Sequence, residues 1–319
     1  MRNALSAALI VLTLAGFAGA QDLSSSLAKV GSQYGQAYVA PAVNSFGVDL
    51  NSGLFHSASM EGILPFGLHL YIGAQVSGAL LASSDKAFSL TYKDTLNDPL
   101  LGKLPATYTV NNAPTVFGSG NRGAVVITPD NPLIPAQTDS TIGGVVQTSI
   151  APIVIPQVGI GSLFGTDVTV RYLPKIKLSK YGSVQLFGVA VRHSLSQYIP
   201  LVPVDIAVQV GFQNLSILDS AGANLMKASA FAANIEVSKT FAIVTFYGGL
   251  QVENSSVDVS YTYNPGQNMH PVPVSFTLKG KNKFRALVGV NFGLGPLTIN
   301  ADYNIGSINA VNAGVGISI

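Results

Sequence analysis

Charged residues inside otherwise apolar segments are the feature of this sequence most able to do chemistry. A histidine shares this placement, and each residue lies on the polar side of a segment in which polar and apolar side chains alternate. The set is Asp49, His69, Arg171, Asp205, Glu236, Arg285 and Asp302. In segments that cross a membrane, an ionised side chain that faces lipid is costly. We therefore expect these side chains to face the lumen that such segments enclose. Charges of both signs there predict a pairing network that stiffens the lumen, a constriction that selects solutes, or both.

Residues suited to catalysis or metal binding are sparse by comparison. The four histidines, His56, His69, His193 and His270, have no metal-ligand spacing, and the chain has no cysteine. A Gly-x-Ser-x-Gly motif is missing, and residues 118–123 match Gly-x-Gly-x-x-Gly only inside a predicted loop rich in Pro and Asn. The sequence therefore predicts neither an enzyme nor a metal site, and no cofactor.

The first 20 residues have the pattern of a cleaved secretory signal peptide. Arg2 supplies the positive charge, Ala4 to Phe17 form an apolar stretch, and small residues precede the expected cleavage site before Gln21. The apolar stretch is shorter than the roughly 20 residues that a membrane-anchoring helix needs. We therefore expect residues 1–20 to be removed and the rest of the chain to be exported.

Composition narrows the class of the exported chain. Charged residues make up 10% of the sequence and apolar residues 48%, with a mean hydropathy of +0.40, whereas about a quarter of a typical soluble domain is charged. The net charge of +2 comes without a basic cluster, which disfavours a nucleic-acid partner. No later stretch has the roughly 18 uninterrupted apolar residues of a spanning helix. A closed barrel is the remaining way to pair every backbone group in lipid.

The predicted strands alternate apolar and polar residues over the length of a tilted membrane-spanning strand. Clear examples cover residues 66–80, 284–294 and 311–319, and the first strand is expected over 46–54. A soluble sandwich also alternates, but its polar face normally carries Lys, Glu and Thr, whereas these strands carry Gly, Ser, Asn and Gln. The predicted fold class is therefore all-β, a transmembrane antiparallel β-barrel of about 12–14 strands with a short N-terminal helix.

The segment before the first strand, residues 21–42, is predicted to be a helix that plugs the lumen or caps its periplasmic end. Its apolar residues recur at helical spacing, and Pro41 is expected to end it, which leaves residues 43–319 for the barrel. The residues expected to contact the lumen wall are Leu27, Val30 and Tyr34.

Two other stretches depart from a simple barrel pattern. Residues 184–192 are apolar on both faces, which indicates that one face packs against something inside the lumen. Residues 82–149 form a connection too long for a simple loop, so we expect this segment to fold back onto the barrel mouth or into it.

Five short stretches resemble an uncharacterised family of bacterial outer-membrane barrels, a domain of unknown function. They are Asn51–His56, Pro114–Gly118, Gly165–Pro174, Gly188–Pro200 and Lys283–Ala286. The resemblance implies an outer-membrane barrel and says nothing about activity. More distantly, the plan is similar to fatty-acid-transporter barrels, which carry an N-terminal hatch.

These patterns together predict a passive outer-membrane channel or transporter for a small molecule, hydrophobic molecules included. The competing class is a structural or surface-interaction barrel with a filled lumen, whose external loops carry the function. Conductance in planar bilayers separates the two classes. The expected partners are outer-membrane lipid, the barrel-assembly machinery and an unknown small solute.

Overall fold

The structure, a computed structural model, describes residues 23, 26–60, 68–98, 101–177, 182–199, 201–264 and 270–319. The expected signal peptide over residues 1–20 lies outside these ranges. Within them the chain forms a helix, α1, and fifteen strands. The bounds are α1 Ser32–Leu50, β1 His69–Leu80, β2 Ala87–Asp98, β3 Gly102–Pro114, β4 Ala124–Pro129, β5 Gln137–Ser140, β6 Ile150–Leu163, β7 Thr166–Lys177, β8 Ser183–Ser194, β9 Asp205–Leu218, β10 Asn224–Phe241, β11 Val244–Tyr263, β12 Val272–Lys279, β13 Phe284–Leu294, β14 Leu297–Gly306 and β15 Ala310–Ser318.

Ten of these strands close into an antiparallel barrel. They follow one another in the order β10-β9-β8-β7-β6-β1-β15-β14-β13-β11, and pairing of β10 with β11 closes the ring. The last strand meets the first along a register that runs from Tyr71 opposite Ser318 to Ala79 opposite Ala310. A closed ring satisfies the backbone of every wall strand without leaving an edge. The predicted fold class, a transmembrane antiparallel β-barrel with an N-terminal helix, is confirmed.

The number of wall strands is ten, below the 12–14 expected from the sequence. Strand β12 pairs only with the end of β11, and β2–β5 form a separate four-stranded sheet within the connection between β1 and β6. The strand expected over residues 46–54 is wrong, because α1 continues to Leu50 and a loop follows it. Short alternating segments of this kind do not reveal whether a strand belongs to the wall.

Side chains of the wall strands alternate between lipid and lumen. On β13, Phe284 and Val288 are exposed, with 62% of Val288 accessible, whereas Arg285, Leu287 and Asn291 are buried. The same alternation holds on β14 and β15. Aliphatic and aromatic residues therefore form the outer belt, while amides and charges face inward, as a lipid-embedded wall requires.

Replacing Val288 with arginine tests this assignment. We expect Val288→Arg to cost about 2–4 kcal/mol or to block membrane insertion, because it places a charge on the lipid-facing side of the wall. The measurement is urea unfolding in lipid vesicles combined with heat-modifiable migration on a gel. Val288→Leu, which keeps the position apolar, is the matched control. Equal stabilities for the two variants would show that Val288 does not face lipid.

The alternation places the neighbouring Gly289 on the lumen face and predicts that serine is tolerated there. The facing is right, but the expected tolerance is wrong. A Cβ atom there would collide with the ring of Tyr247 and lie 2.7 Å from the Cβ of Asp302. The barrel interior is therefore packed at this point, and a serine at residue 289 would force the Tyr247 ring to move.

The two ends of the barrel differ. Tight turns at residues 164–165, 242–243 and 295–296 define one end, which we call the turn end. The connection over residues 81–149, which contains the β2–β5 sheet, lies at the other end, and so does β12. We call this end the loop end. By the usual pattern of such barrels, short turns face the periplasm and long connections face outside.

The chain crosses the lumen from the loop end to the turn end before the first strand begins. The backbone N–H of Asn264 donates to the carbonyl of Ala28 at the loop end (2.7 Å), and that of Ala58 donates to Ser238 Oγ at the turn end (3.0 Å). Residues 32–60 therefore run through the barrel, and we call them the lumen segment. None of the helices described is long and apolar enough to span a membrane.

Helix α1 occupies the loop-end half of the lumen, where the wall is apolar. Buried residues of the helix, among them Tyr38 and Val43, join one cluster with wall residues such as Leu186, Leu215 and Val257. Val184 and Leu186 of the 184–192 stretch belong to it, and Ala190 joins a second cluster with Leu54 and Phe55. The expectation that this strand packs against something inside the lumen is confirmed. Phe187 points outward and is 55% exposed.

Pro41 does not end the helix, contrary to the expectation from sequence. An interior proline costs roughly 3 kcal/mol, but each large apolar side chain that is fully buried contributes roughly 1.5–3 kcal/mol, and α1 buries several. Ser45 Oγ donates to the Pro41 carbonyl (2.9 Å). Gly47 lets α1 lie close to the wall, because a Cβ atom at this residue would collide with Ser255. Packing inside the barrel therefore outweighs local helix propensity.

Candidate functional site

The lower part of the lumen segment, residues 48–57 towards the turn end, is held by side chains of the barrel wall. Backbone carbonyls between Val48 and Ser57 accept hydrogen bonds from wall arginines and glutamines, and we call these donors the anchor cluster. The donors are Arg171 on β7, Arg192 on β8, Gln209 and Gln213 on β9, Gln251 on β11 and Arg285 on β13. The accepting carbonyls are those of Val48, Leu50, Asn51, Ser52, Gly53, Leu54 and Ser57. Donors from five strands surround one segment, so the contact fixes its position in the lumen.

Arg171 binds the point at which α1 ends. Its guanidinium donates to the carbonyls of Leu50 (3.0 Å), Ser52 (2.9 Å) and Gly53, and also to Gln157 Oε1 (3.0 Å) and Gln213 Oε1 (3.1 Å). Its side chain is buried, and within the described ranges it forms no ion pair. The positive charge instead meets the negative end of the helix dipole and the carbonyls left unpaired there.

Arg285 joins the lumen segment to a wall carboxylate. It donates to the carbonyl of Val48 (2.9 Å) and to Ser52 Oγ, and it forms an ion pair with Glu253 (2.9 Å) in which neither side chain is exposed by more than 1%. Asp49 of α1 is buried beside it and interacts with its charge. Breaking such a buried pair leaves an uncompensated charge, so this contact is more sensitive to substitution than a surface ion pair.

A second group of charges lies nearer the turn end. Arg192 donates to the carbonyl of Ser57 and to Asp167 Oδ2 (2.9 Å), and its guanidinium is 3.5 Å from Glu236 Oε2. His69 Nε2 lies 3.9 Å from Asp167 Oδ2. A cavity of about 220 Å³ is lined by His69, Asp167 and Arg192 and by the end of the lumen segment.

The remaining two predicted lumen residues lie apart from these groups. Asp302 is buried on β14 and accepts hydrogen bonds from Tyr247 (2.9 Å) and Asn312 (2.9 Å). Asp205 begins β9 at the turn end and is half-buried. The structure therefore brings Asp49, Arg171 and Arg285 to the lumen segment, places His69 and Glu236 around Arg192, and leaves the other two as parts of the wall.

The predicted plug residues lie higher in the lumen, at the loop end. Leu27 and Tyr34 are buried in the apolar cluster, and Val30 packs against it. Tyr34 is stacked on Tyr38 with ring centroids 6.3 Å apart and meets Phe88 edge-on at 5.0 Å.

Sequence reasoning missed half of the anchor contacts. Arg192, Glu253 and the three glutamines all lie on the inward face of alternating strands. Gln251 and Glu253, for example, flank the outward Val252 on β11. Alternation alone could have assigned them to the lumen, but nothing local shows that their partners are backbone carbonyls of residues 48–57.

A larger cavity of about 1360 Å³ opens at the loop end, above the lumen segment. It lies between the start of α1, the β2–β5 sheet and the ends of β11 and β12. Tyr92 and Tyr108 stack on its wall with ring centroids 5.1 Å apart. Burial, and secondarily the nearby Asp94 carboxylate, raises the pKa of both tyrosines. Their hydroxyls are protonated at neutral pH, as those of ordinary tyrosines are, and can donate hydrogen bonds. We call this cavity the mouth cavity. It confirms that the 82–149 connection folds back over the barrel mouth.

Metal-binding geometry is missing from the part of the chain that the structure describes, where no three His, Asp or Glu side chains converge. The site is therefore built from cation–carbonyl, ion-pair and amide hydrogen bonds. Such a site can hold a segment in place or release it. The expectations of no enzymatic activity and no cofactor stay predictions.

Solved structures similar to this chain are β-barrels of the outer membrane. The beta domain of the Bordetella autotransporter Brka is 10% identical, covers 79% of this chain and 99% of its own, and has a TM-score of 0.31. Acinetobacter baumannii OccAB4 is 9% identical over 79% of this chain and 97% of its own, with a TM-score of 0.24. The Pseudomonas putida toluene transporter TodX is 10% identical over 88% and 97%, with a TM-score of 0.23.

No curated protein matches the sequence. One family does, over the full length of the chain, in agreement with the resemblance carried by the short motifs. Its match covers residues 1–319 and includes the anchor cluster, the lumen segment and the β2–β5 sheet. The chain belongs to this family, a family of unknown function, DUF6588.

Proposed function

We propose that this protein is a passive outer-membrane channel or transporter for a small molecule, and that the lumen segment is its gate. Hydrophobic molecules are among the candidate solutes. The observation that carries the proposal is that a separate segment blocks the lumen, whereas the wall closes through its own strand ladder. The outer-membrane location is supported by the apolar outer belt and by the signal-peptide pattern of residues 1–20, whose cleavage is part of the proposal.

The way in which the segment is held supports a gate more than a permanent filling. Its lower part, residues 48–57, is bound mainly through hydrogen bonds from side-chain donors to backbone carbonyls, and water can replace each of these donors. Leu54 and Phe55 add a small apolar contact with wall residues such as Tyr247. A single hydrogen bond of this kind contributes about 0.5–1.5 kcal/mol, or about 1.5–3 kcal/mol when the donor is charged. Displacing the segment by a few ångströms therefore exchanges contacts for water without breaking the barrel. A solute would enter through the mouth cavity and pass where the segment now lies.

Conductance of an Arg171 variant tests the proposal. We expect the unaltered protein to be closed for most of the time in planar bilayers, and Arg171→Met to open frequently. The carbonyls of Ser52 and Gly53 lose their donor in this variant, and the Leu50 carbonyl keeps only Gln213. Lys175→Met removes the same charge from an exposed position on the same strand and serves as the matched control.

Both variants should keep heat-modifiable migration, which shows that the barrel is intact. If folded Arg171→Met and Lys175→Met gave the same open fraction as the unaltered protein, the anchor would not control passage. A complete lack of current in all three would favour the competing class, a structural barrel with a permanently filled lumen.

A further inference from the structure

The mouth cavity has a lining of mixed character. Tyrosines 34, 92, 108 and 263 contribute aromatic surface, and serine, threonine and glutamine side chains contribute hydroxyls and amides. Its charged residues have both signs: Lys29, Lys103 and Arg122 are cationic, and Asp94 and Asp139 are anionic. Within the described residues, these three cations form no ion pair, whereas Lys93, which also lines the cavity, pairs with Asp130 at 3.2 Å.

Tyr34 on the floor of the cavity has a hydroxyl with poorly placed partners. Only 4% of Tyr34 is exposed, and its ring is fixed by Tyr38 and Phe88. Its hydroxyl makes no hydrogen bond of normal geometry, although Thr141 and the backbone of Ile142 lie beside it. A buried hydroxyl with poorly placed partners is costly to the fold. A ligand that supplied a better-placed partner would reduce this cost.

This lining excludes two simple ligand classes. A wholly apolar ligand would take the charges and hydroxyls of the cavity out of water without replacing their hydrogen bonds. A small inorganic anion would leave the tyrosine faces without a contact and would lie close to two carboxylates. A ring that bears many hydroxyl groups satisfies both requirements, because hydroxyls donate to carboxylates, accept from Lys and Arg, and leave an apolar C–H face for the tyrosines.

We propose that the mouth cavity binds a free oligosaccharide, with sugar rings against Tyr92 and Tyr108 and a sugar hydroxyl against Tyr34. At about 1360 Å³ the cavity exceeds the roughly 300–1,000 Å³ of sites for drug-sized ligands, so several linked rings fit. The inference rests on the proposed function for its purpose, which is to gather solute above the gate. Binding itself does not depend on passage through the lumen.

The test is isothermal titration of the full protein in a detergent without sugar groups, such as a dimethylamine oxide. The probes are maltohexaose, cellohexaose and trigalacturonate, with dodecanoate as an apolar anion for comparison. We expect at least one oligosaccharide to bind in the millimolar range or more tightly. The double variant Tyr92→Ala, Tyr108→Ala should weaken that binding about tenfold or more, since two aromatic contacts are lost. Tyr198→Ala, at the turn end, should leave it unchanged.

Tyr34→Phe provides the more specific readout. It removes only the hydroxyl, so we expect unchanged or raised thermal stability together with about three- to tenfold weaker oligosaccharide binding. Binding of dodecanoate alone, or of none of the probes, would overturn the proposal. So would oligosaccharide binding that Tyr34→Phe and the double variant leave unchanged. Because the titration needs no transport, loss of binding and failure of the gate are distinguishable results.

Discussion

Deleting residues 23–60 is expected to convert a closed protein into an open one. The deletion removes α1 and every carbonyl bound by the anchor cluster, whereas the ten wall strands begin at His69 and keep all their pairings. Apolar wall residues at the loop end lose their packing, so the barrel should be less stable than the intact protein. It should still insert, because the closed ladder satisfies the wall backbone by itself. Planar bilayers should then show discrete steady openings that the intact protein lacks.

A shorter deletion, residues 23–39, is the matched comparison. It removes Leu27, Val30 and Tyr34 but leaves residues 48–57 fastened to the wall. We therefore expect only a small rise in current from it, although the sequence alone suggests these upper residues as the plug. A full opening after the shorter deletion would place the block at the mouth. An inserted barrel without residues 23–60 that carried no current would remove the lumen segment as the gate.

Arg285 is expected to show the largest loss of stability among single substitutions in the anchor cluster. In Arg285→Met, the carboxylate of Glu253 stays buried without its partner, which should cost about 3–5 kcal/mol. Glu253→Gln should cost less, because a neutral amide replaces the charge. The double variant should recover about 2–3 kcal/mol relative to the sum of the two single costs. Urea unfolding of each variant in vesicles supplies all four free energies of the cycle.

Lys283→Met is the control for this cycle. Lys283 lies two residues from Arg285, is exposed, and contacts Asn254 at 2.7 Å. Removing its charge should change the free energy of unfolding by no more than about 0.5 kcal/mol. Additive costs for Arg285→Met and Glu253→Gln would contradict a coupled buried pair. The cycle tests the wall contact of the anchor, whereas conductance of Arg171→Met tests the hold on the helix.

The sequence by itself determined the class of fold and the orientation of the strands. Low charge and alternation with period two required a closed wall, and the inward assignment of residues such as Arg171, Arg285 and Asp302 followed because a charge in lipid is too costly. The apolar double face of residues 184–192 likewise predicted a partner inside the lumen. Each of these inferences depends only on transfer between lipid and water, which acts on a residue wherever its neighbours lie.

The tertiary structure alone decided how many strands form the wall and where the helix ends. Strand β12 and part of β2 alternate like wall strands, and only their pairing partners set them apart. Pro41 marks a helix end by local propensity, yet packing within the lumen carries α1 through it to Leu50. Local propensity amounts to a few kcal/mol, and burial inside a closed barrel can exceed it.

The candidate site also has a part that the sequence predicted and a part that only the tertiary structure decided. The sequence provided its inward cations, but their partners are backbone carbonyls of residues 48–57, more than 110 positions away along the chain. A carbonyl is present at every residue and leaves no mark in the sequence. Only closure of the barrel around the lumen segment, which brings five strands to one stretch of backbone, selects the carbonyls that Arg171 and Arg285 bind.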